Sequence, residues 1–178
     1  MVYYPCIVLD IAYRPFTVFS HIKAFVLIYS GKAEMIESYR ERSIRTIDRE
    51  ILAPLVIRVA FLSKRWGKVA PSRRAIFLRD NFTCAYCGKL VRDSEVTIDH
   101  IVPKSRGGTF SWGNLITACD RCNQKKGDKL PEEAGMPLLF EPYKPTKFEV
   151  ELKRWRLNSE FETVLEVFYP QFKKLINK

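Results

Sequence analysis

Long apolar runs are missing from this chain of 178 residues. Nothing in it approaches the roughly 20 consecutive apolar residues of a membrane-spanning helix. The longest candidates, AFVLIY at 24–29 and LVIRVAFL at 55–62, are the size of core segments, and the second carries Arg58. The amino-terminal MVYYPCIVLD has no basic leader and includes an acid, so it does not read as a signal peptide. A cytoplasmic location is therefore expected. Acidic side chains are in deficit, 20 against 30 Lys and Arg, which leaves a formal charge of +10. The surplus falls within residues 1–130, whereas residues 131–178 are balanced. Such a field favours a polyanionic partner, with nucleic acid ahead of an anionic membrane surface. Histidine is scarce too, with only His21 and His100. At 47% hydrophobic and 13% aromatic residues, the chain is still that of a packed globular protein.

Four of the five cysteines fall in two pairs, Cys84-x-x-Cys87 and Cys119-x-x-Cys122, while Cys6 stands apart as a small core residue. In a cytosolic chain, pairs of this kind argue for metal and not for disulfides. Two such pairs complete a tetrahedron with no open position, so the four cysteines read as a structural Zn²⁺ site. Because the flanking elements are short, zinc should supply much of the local folding energy. The 31 residues between the pairs are more than the usual spacer, so something sizeable is inserted there.

The chain divides into an N-terminal extension of strands and one helix (1–70), a central module (71–130) and a C-terminal tail packing on the core (131–178). Ser20 can cap a helix through HIKAFVLIYSG, and Pro54 interrupts the apolar run that follows. Ser72 can cap a second helix, whose Arg73, Arg74 and Arg79 would face solvent or phosphate. His21 has no carboxylate or cysteine beside it and reads as a surface or packing residue. A strand EVTIDHIV, a loop PKSRGGTFSWGN and a strand leading into the helix at LITACDRCNQKKGDK fill the interval around the second cysteine pair. Pro170 must end or kink any helix in the amphipathic tail. Trp112 and Tyr86 could stack on bases, although aromatics beside a zinc knuckle more often pack its core.

The insertion also holds Asp99, His100 and Asn114, and Asn123 follows the last cysteine. Asp99 is a hard oxygen ligand suited to Mg²⁺ or Mn²⁺, to which Asn123 can add a carbonyl oxygen. At this point the sequence resembles the HNH endonucleases. The resemblance is carried by Cys84-A-Y-Cys87-G, by Asp99-His100-I-V-P-K-S-R-G-G, by W-G-Asn114-L and by Cys119-D-R-Cys122-Asn123-Q-K-K-G. Residues 1–40 look more weakly like the leader of stand-alone bacterial members.

The resemblance implies an α+β fold: a small, zinc-stabilised, treble-clef-like ββα-metal core with an N-terminal α/β extension and a partly helical C-terminal tail. It makes His100 the general base, Asp99 and Asn123 the ligands of a catalytic divalent metal, and Asn114 the residue that pins the loop and orients His100. Asn at the third position is an H-N-N variant, and losing an imidazole ligand favours Mg²⁺ or Mn²⁺ over softer ions. Lys104, Arg106, Arg121, Lys125, Lys126 and Lys129 surround the site and would contact DNA phosphates, which position a strand without reading it. The expected activity is metal-dependent hydrolysis of DNA phosphodiester bonds. The alternative is a non-catalytic zinc-knuckle module that binds nucleic acid. Asp99-His100 and Asn123 separate the two, since a binding module needs no base beside a hard-metal ligand.

Overall fold

Strand β1 (Pro5–Leu9) is buried along its whole length, and its period-2 alternation shows why. Cys6 and Val8 share a cluster with Ala24, Ile57 and Val59, while Ile7 and Leu9 share another with Leu55, Phe148 and Phe161. A strand apolar on both faces belongs inside a sheet, and β1 lies there, in the order β2-β1-β4-β3. It pairs antiparallel with β2 (Pro15–Ser20) and parallel with β4 (Glu50–Val59), which in turn pairs antiparallel with β3 (Ala33–Arg45).

A computed structural model describes residues 3–62, 69–92, 94–155 and 159–170. Residues 63–68, just before the division expected after residue 70, and the last residues of the tail lie outside that range. The chain forms two compact units, Met1–Lys68 with Thr146–Lys178, and Val69–Pro145. This revises the expected boundaries, because residues 131–145 belong with the central module. From Thr146 onward the tail joins the N-terminal sheet. Its helices α4 (Lys147–Leu152) and α5 (Ser159–Phe168) bring Phe148, Leu152, Phe161 and Leu165 to the cluster that holds Ile7 and Leu9. Thr146 opens α4 through a capping box with Glu149, and α5 stops two residues short of Pro170.

Helix α1 (His21–Tyr29) begins at Ser20, whose hydroxyl accepts from the Lys23 N–H. Pro54 does not interrupt the run as expected. It lies inside β4 opposite Ser38, where the β3–β4 register shifts, the kind of irregularity at which a strand proline is tolerated. His21 is a packing residue, 4% exposed, with Nδ1 accepting from the Tyr4 N–H at 3.0 Å. Burial, aided by the charge of Arg42, lowers its pKa below the usual imidazole value. A depressed folded pKa contributes stability above the unfolded value of about 6.5 and loses it as pH falls through the folded pKa. The unfolding midpoint in urea should therefore drop on acidification below pH 6.5. His21→Gln keeps an acceptor but cannot take up charge, so part of that slope should vanish; equal slopes in both proteins would refute the assignment.

In the second unit, α2 (Arg73–Arg79) starts at Ser72, which accepts from the Ala75 N–H. Strands β5 (Val96–His100) and β6 (Leu115–Cys119) form an antiparallel hairpin, and β6 runs directly into α3 (Asp120–Lys126). Arg79 departs from the expected solvent-facing role. It is 3% exposed, paired with Asp80, and donates to the carbonyls of Trp112, Tyr143 and Leu115. Asp80 accepts in turn from the Thr117 N–H. This buried pair joins α2 to β6 and to the segment beyond residue 130.

Candidate active site and metal cluster

The cysteine pairs come together because the hairpin returns the chain to its start. Val96 pairs with Cys119 at the open end of β5–β6, and the Ala85 N–H bonds the Thr117 carbonyl, docking the first cysteine turn on β6. The four sulfurs of Cys84, Cys87, Cys119 and Cys122 lie within 4.8 Å of one another, an arrangement that could hold a metal ion. Cys84 and Cys119 are also part of the unit's small core, with Phe77, Val91, Val96 and Ala118.

At the other end of β5, Asp99 and His100 adjoin the loop that returns to β6. A short 3-10 turn (Lys104–Arg106) ends at Gly107, whose φ of +84° is one that side chains rarely adopt. A Cβ on Gly108 would meet the Val102 carbonyl at 1.7 Å, so the second glycine serves a close approach of backbone to backbone. Asn114 closes the loop with its side-chain amide. It accepts from the Val102 N–H at 2.8 Å and donates to the carbonyls of Val102 and Thr109. Trp112 packs, 7% exposed, and its indole N–H reaches the Val69 carbonyl.

Alternation along β5 directs Thr97 and Asp99 to one face, against α3. There Asn123 donates to the Thr97 hydroxyl at 3.0 Å, leaving its own carbonyl oxygen for another partner. Lys126, one turn along, bonds Asp99 at 3.1 Å and the His100 carbonyl at 2.8 Å. Lys126 is only 1% exposed, so the phosphate contact expected of it is corrected: its ammonium is the internal counter-ion of Asp99, itself 5% exposed. The Tyr86 hydroxyl is the second donor to Asp99. Burial first, and then the Asp99 carboxylate, hold that phenol protonated far above its ordinary range.

His100 lies within the fields of Asp99, Lys104 and Lys126, with its ring 6.3 Å from that of the exposed Phe110. Burial, then Lys104, lower its pKa against the pull of Asp99. Its Nε2 is buried and has no hydrogen-bond partner. The remaining expected phosphate contacts are dispersed. Lys104, Arg106, Arg121, Lys125 and Lys129 are all exposed, but Arg106 pairs with Glu133. Arg121 and Lys125 line a pocket of about 650 Å³ with Cys87, Cys119 and Cys122. The bond from Tyr86 to Asp99, the place of Thr97 and the structural role of Lys126 were not anticipated. Two spacings in the sequence could have shown the last two: i,i+2 on a strand for Thr97 and Asp99, and i,i+3 on a helix for Asn123 and Lys126.

A four-thiol cluster that could hold a metal ion thus closes a hairpin and helix, with an acid–imidazole dipeptide at the strand's far end. Residues 84–139 match the family model described as HNH endonuclease, and residues 6–65 match that of the HNH endonuclease-associated N-terminal domain. Over residues 84–139 the chain carries an HNH endonuclease segment, preceded by one similar to the N-terminal domain associated with that family. Among curated proteins, it is 47% identical over 51 residues to the CRISPR-associated endonuclease Cas9 of Corynebacterium diphtheriae, a segment covering 28% of this chain and 5% of that protein. With Cas9 of Actinomyces naeslundii it shares 39% identity over 46 residues, 25% of this chain and 4% of the relative. The likeness to these far longer proteins is thus confined to a small segment. No helix among the described residues is long and apolar enough to cross a membrane.

Proposed function

We propose that this protein is a metal-dependent DNA endonuclease in which His100 is the general base. The observation that carries the reading is the contrast between the two histidines. His21 is a core histidine whose ring nitrogen has its partner, whereas the Nε2 of His100 has none beside a carboxylate at the mouth of a loop. An imidazole with its pKa lowered is neutral at physiological pH and ready to accept a proton.

The cysteine cluster suits structural zinc in a treble-clef-like ββα unit. Zinc–sulfur bonds of about 2.3 Å give a tetrahedral edge of roughly 3.8 Å. The sulfurs of Cys87 and Cys119 are 4.0 Å apart. Asp99 and Asn123 project from facing elements and supply oxygen donors fit for Mg²⁺ or Mn²⁺. A carboxylate has about four acceptor sites, and Tyr86 and Lys126 leave capacity unused. Bound there, the divalent ion would supply Lewis acidity to the phosphate and the leaving oxygen.

His100 takes the proton of the attacking water as the new bond to phosphorus forms, while the bond to the 3′ oxygen breaks and that oxygen takes a proton from solvent. The products are a 5′-phosphate and a 3′-hydroxyl. Asn114 keeps the loop closed behind the imidazole, and Lys104, with exposed Arg121, Lys125 and Lys129, is available to the DNA backbone. Supercoiled plasmid should be nicked or linearised when Mg²⁺ or Mn²⁺ is added and stay intact without added divalent metal. Intact plasmid with both ions would end the catalytic reading and leave the non-catalytic zinc-knuckle module.

A further inference from the structure

We propose that Tyr86 is a positioning residue for Asp99, so that the four-cysteine turn sets the geometry of the divalent-metal site as well as closing the fold. The inference rests on the proposed role of Asp99 as a ligand of the catalytic metal, and the geometry gives it a specific route. Tyr86 sits between Cys84 and Cys87, so its backbone is fixed by whatever the cysteines hold. That turn is closed by the Gly88 N–H on the Cys84 carbonyl, and it is tied from outside by the Ala85 N–H on the Thr117 carbonyl and the Leu139 N–H on the Ala85 carbonyl. From this clamped position the half-buried ring extends to Asp99 and its hydroxyl donates to Oδ2.

Asp99 thus has two donors of different kinds. Lys126 comes from α3 and compensates its charge, touching both carboxylate oxygens. Tyr86 comes from the cysteine turn, adds no charge, and fixes which way the carboxylate plane faces. A carboxylate held by Lys126 alone can rotate about its last bond toward the ammonium, whereas a second donor on Oδ2 opposes that rotation. Hydrogen bonds that orient a metal-binding side chain typically change metal affinity by about 10–100-fold when removed.

Tyr86→Phe deletes one oxygen and preserves the ring that packs beside the cluster. In the full-length protein we expect zinc content and DNA affinity to match wild type. The Mn²⁺ dissociation constant, read by calorimetry and by electron paramagnetic resonance without DNA, should rise about 10–100-fold. The Mn²⁺ concentration for half-maximal cleavage should rise by the same factor. Mn²⁺ affinity within twofold of wild type at full zinc content would overturn the proposal. So would loss of zinc in Tyr86→Phe, because it would assign the hydroxyl to the cysteine turn instead. An Asp99→Ala control separates the two levels. If wild type binds Mn²⁺ no better than Asp99→Ala, the metal-ligand reading itself fails and this inference with it.

Discussion

His100→Ala is expected to lower plasmid cleavage by about 10²–10⁴-fold, the usual contribution of a positioned general base. DNA binding and zinc content should stay at wild-type levels. The separation is expected because the Nε2 of His100 has no hydrogen-bond partner, and the loop beside it is closed independently by Asn114 through Val102 and Thr109. Truncation therefore removes a proton acceptor without removing a strut. The carbonyl of residue 100, which Lys126 uses, is backbone and survives the substitution. If His100→Ala cleaves as fast as wild type at saturating Mg²⁺, the base must be sought elsewhere. If it loses zinc or DNA binding together with activity, the imidazole is structural.

If the cysteine cluster holds zinc as proposed, removing that metal should have the largest effect on stability. Structural zinc in small modules has an apparent binding free energy of about 10–16 kcal/mol at neutral pH. A whole domain is held by roughly 5–15 kcal/mol. The second unit has little to substitute for it. Two of the six buried members of one of its core clusters are Cys84 and Cys119, which belong to the four-thiol group. Its strands are five residues each and α3 has seven. Cys119→Ser, or treatment of wild type with a strong chelator, should open Val69–Pro145 to limited proteolysis. The first unit should stay protected, since among the described residues its clusters around Ile7 and Val8 contain none of the four paired cysteines. Full protection of residues 84–122 in zinc-free protein would show that packing alone suffices.

The family comparison and the fold meet in the same residues. The HNH match runs to residue 139, past the expected end of the module at 130. The reason is visible in the chain: Leu139 bonds the first cysteine turn and Tyr143 receives Arg79. Neither partner announces itself in the sequence, because a Pro-rich stretch such as LPEEAGMPLLFEPYKP has no periodicity to assign it to a neighbour. The tail beyond Thr146 was equally mute. Its apolar residues marked an amphipathic segment but did not name the strands that accept it.

Local chemistry in this protein is determined by the sequence itself. The cysteine pairs, the caps at Ser20 and Ser72, the continuous apolar run of β1 and the order Asp99, His100, Asn114, Asn123 all follow from spacings of a few residues. At that range backbone geometry leaves few choices. Charge was legible only as a sum. Six basic residues near the site looked alike in sequence, yet the fold buries Lys126 against Asp99, pairs Arg106 with Glu133 and leaves Lys104 beside His100. Arg79 went the same way, from a supposed surface charge to the buried partner of Asp80. Tertiary structure alone made those assignments. Whether a charge faces solvent or a carboxylate depends on which element packs against it, and residues far apart in the chain decide that.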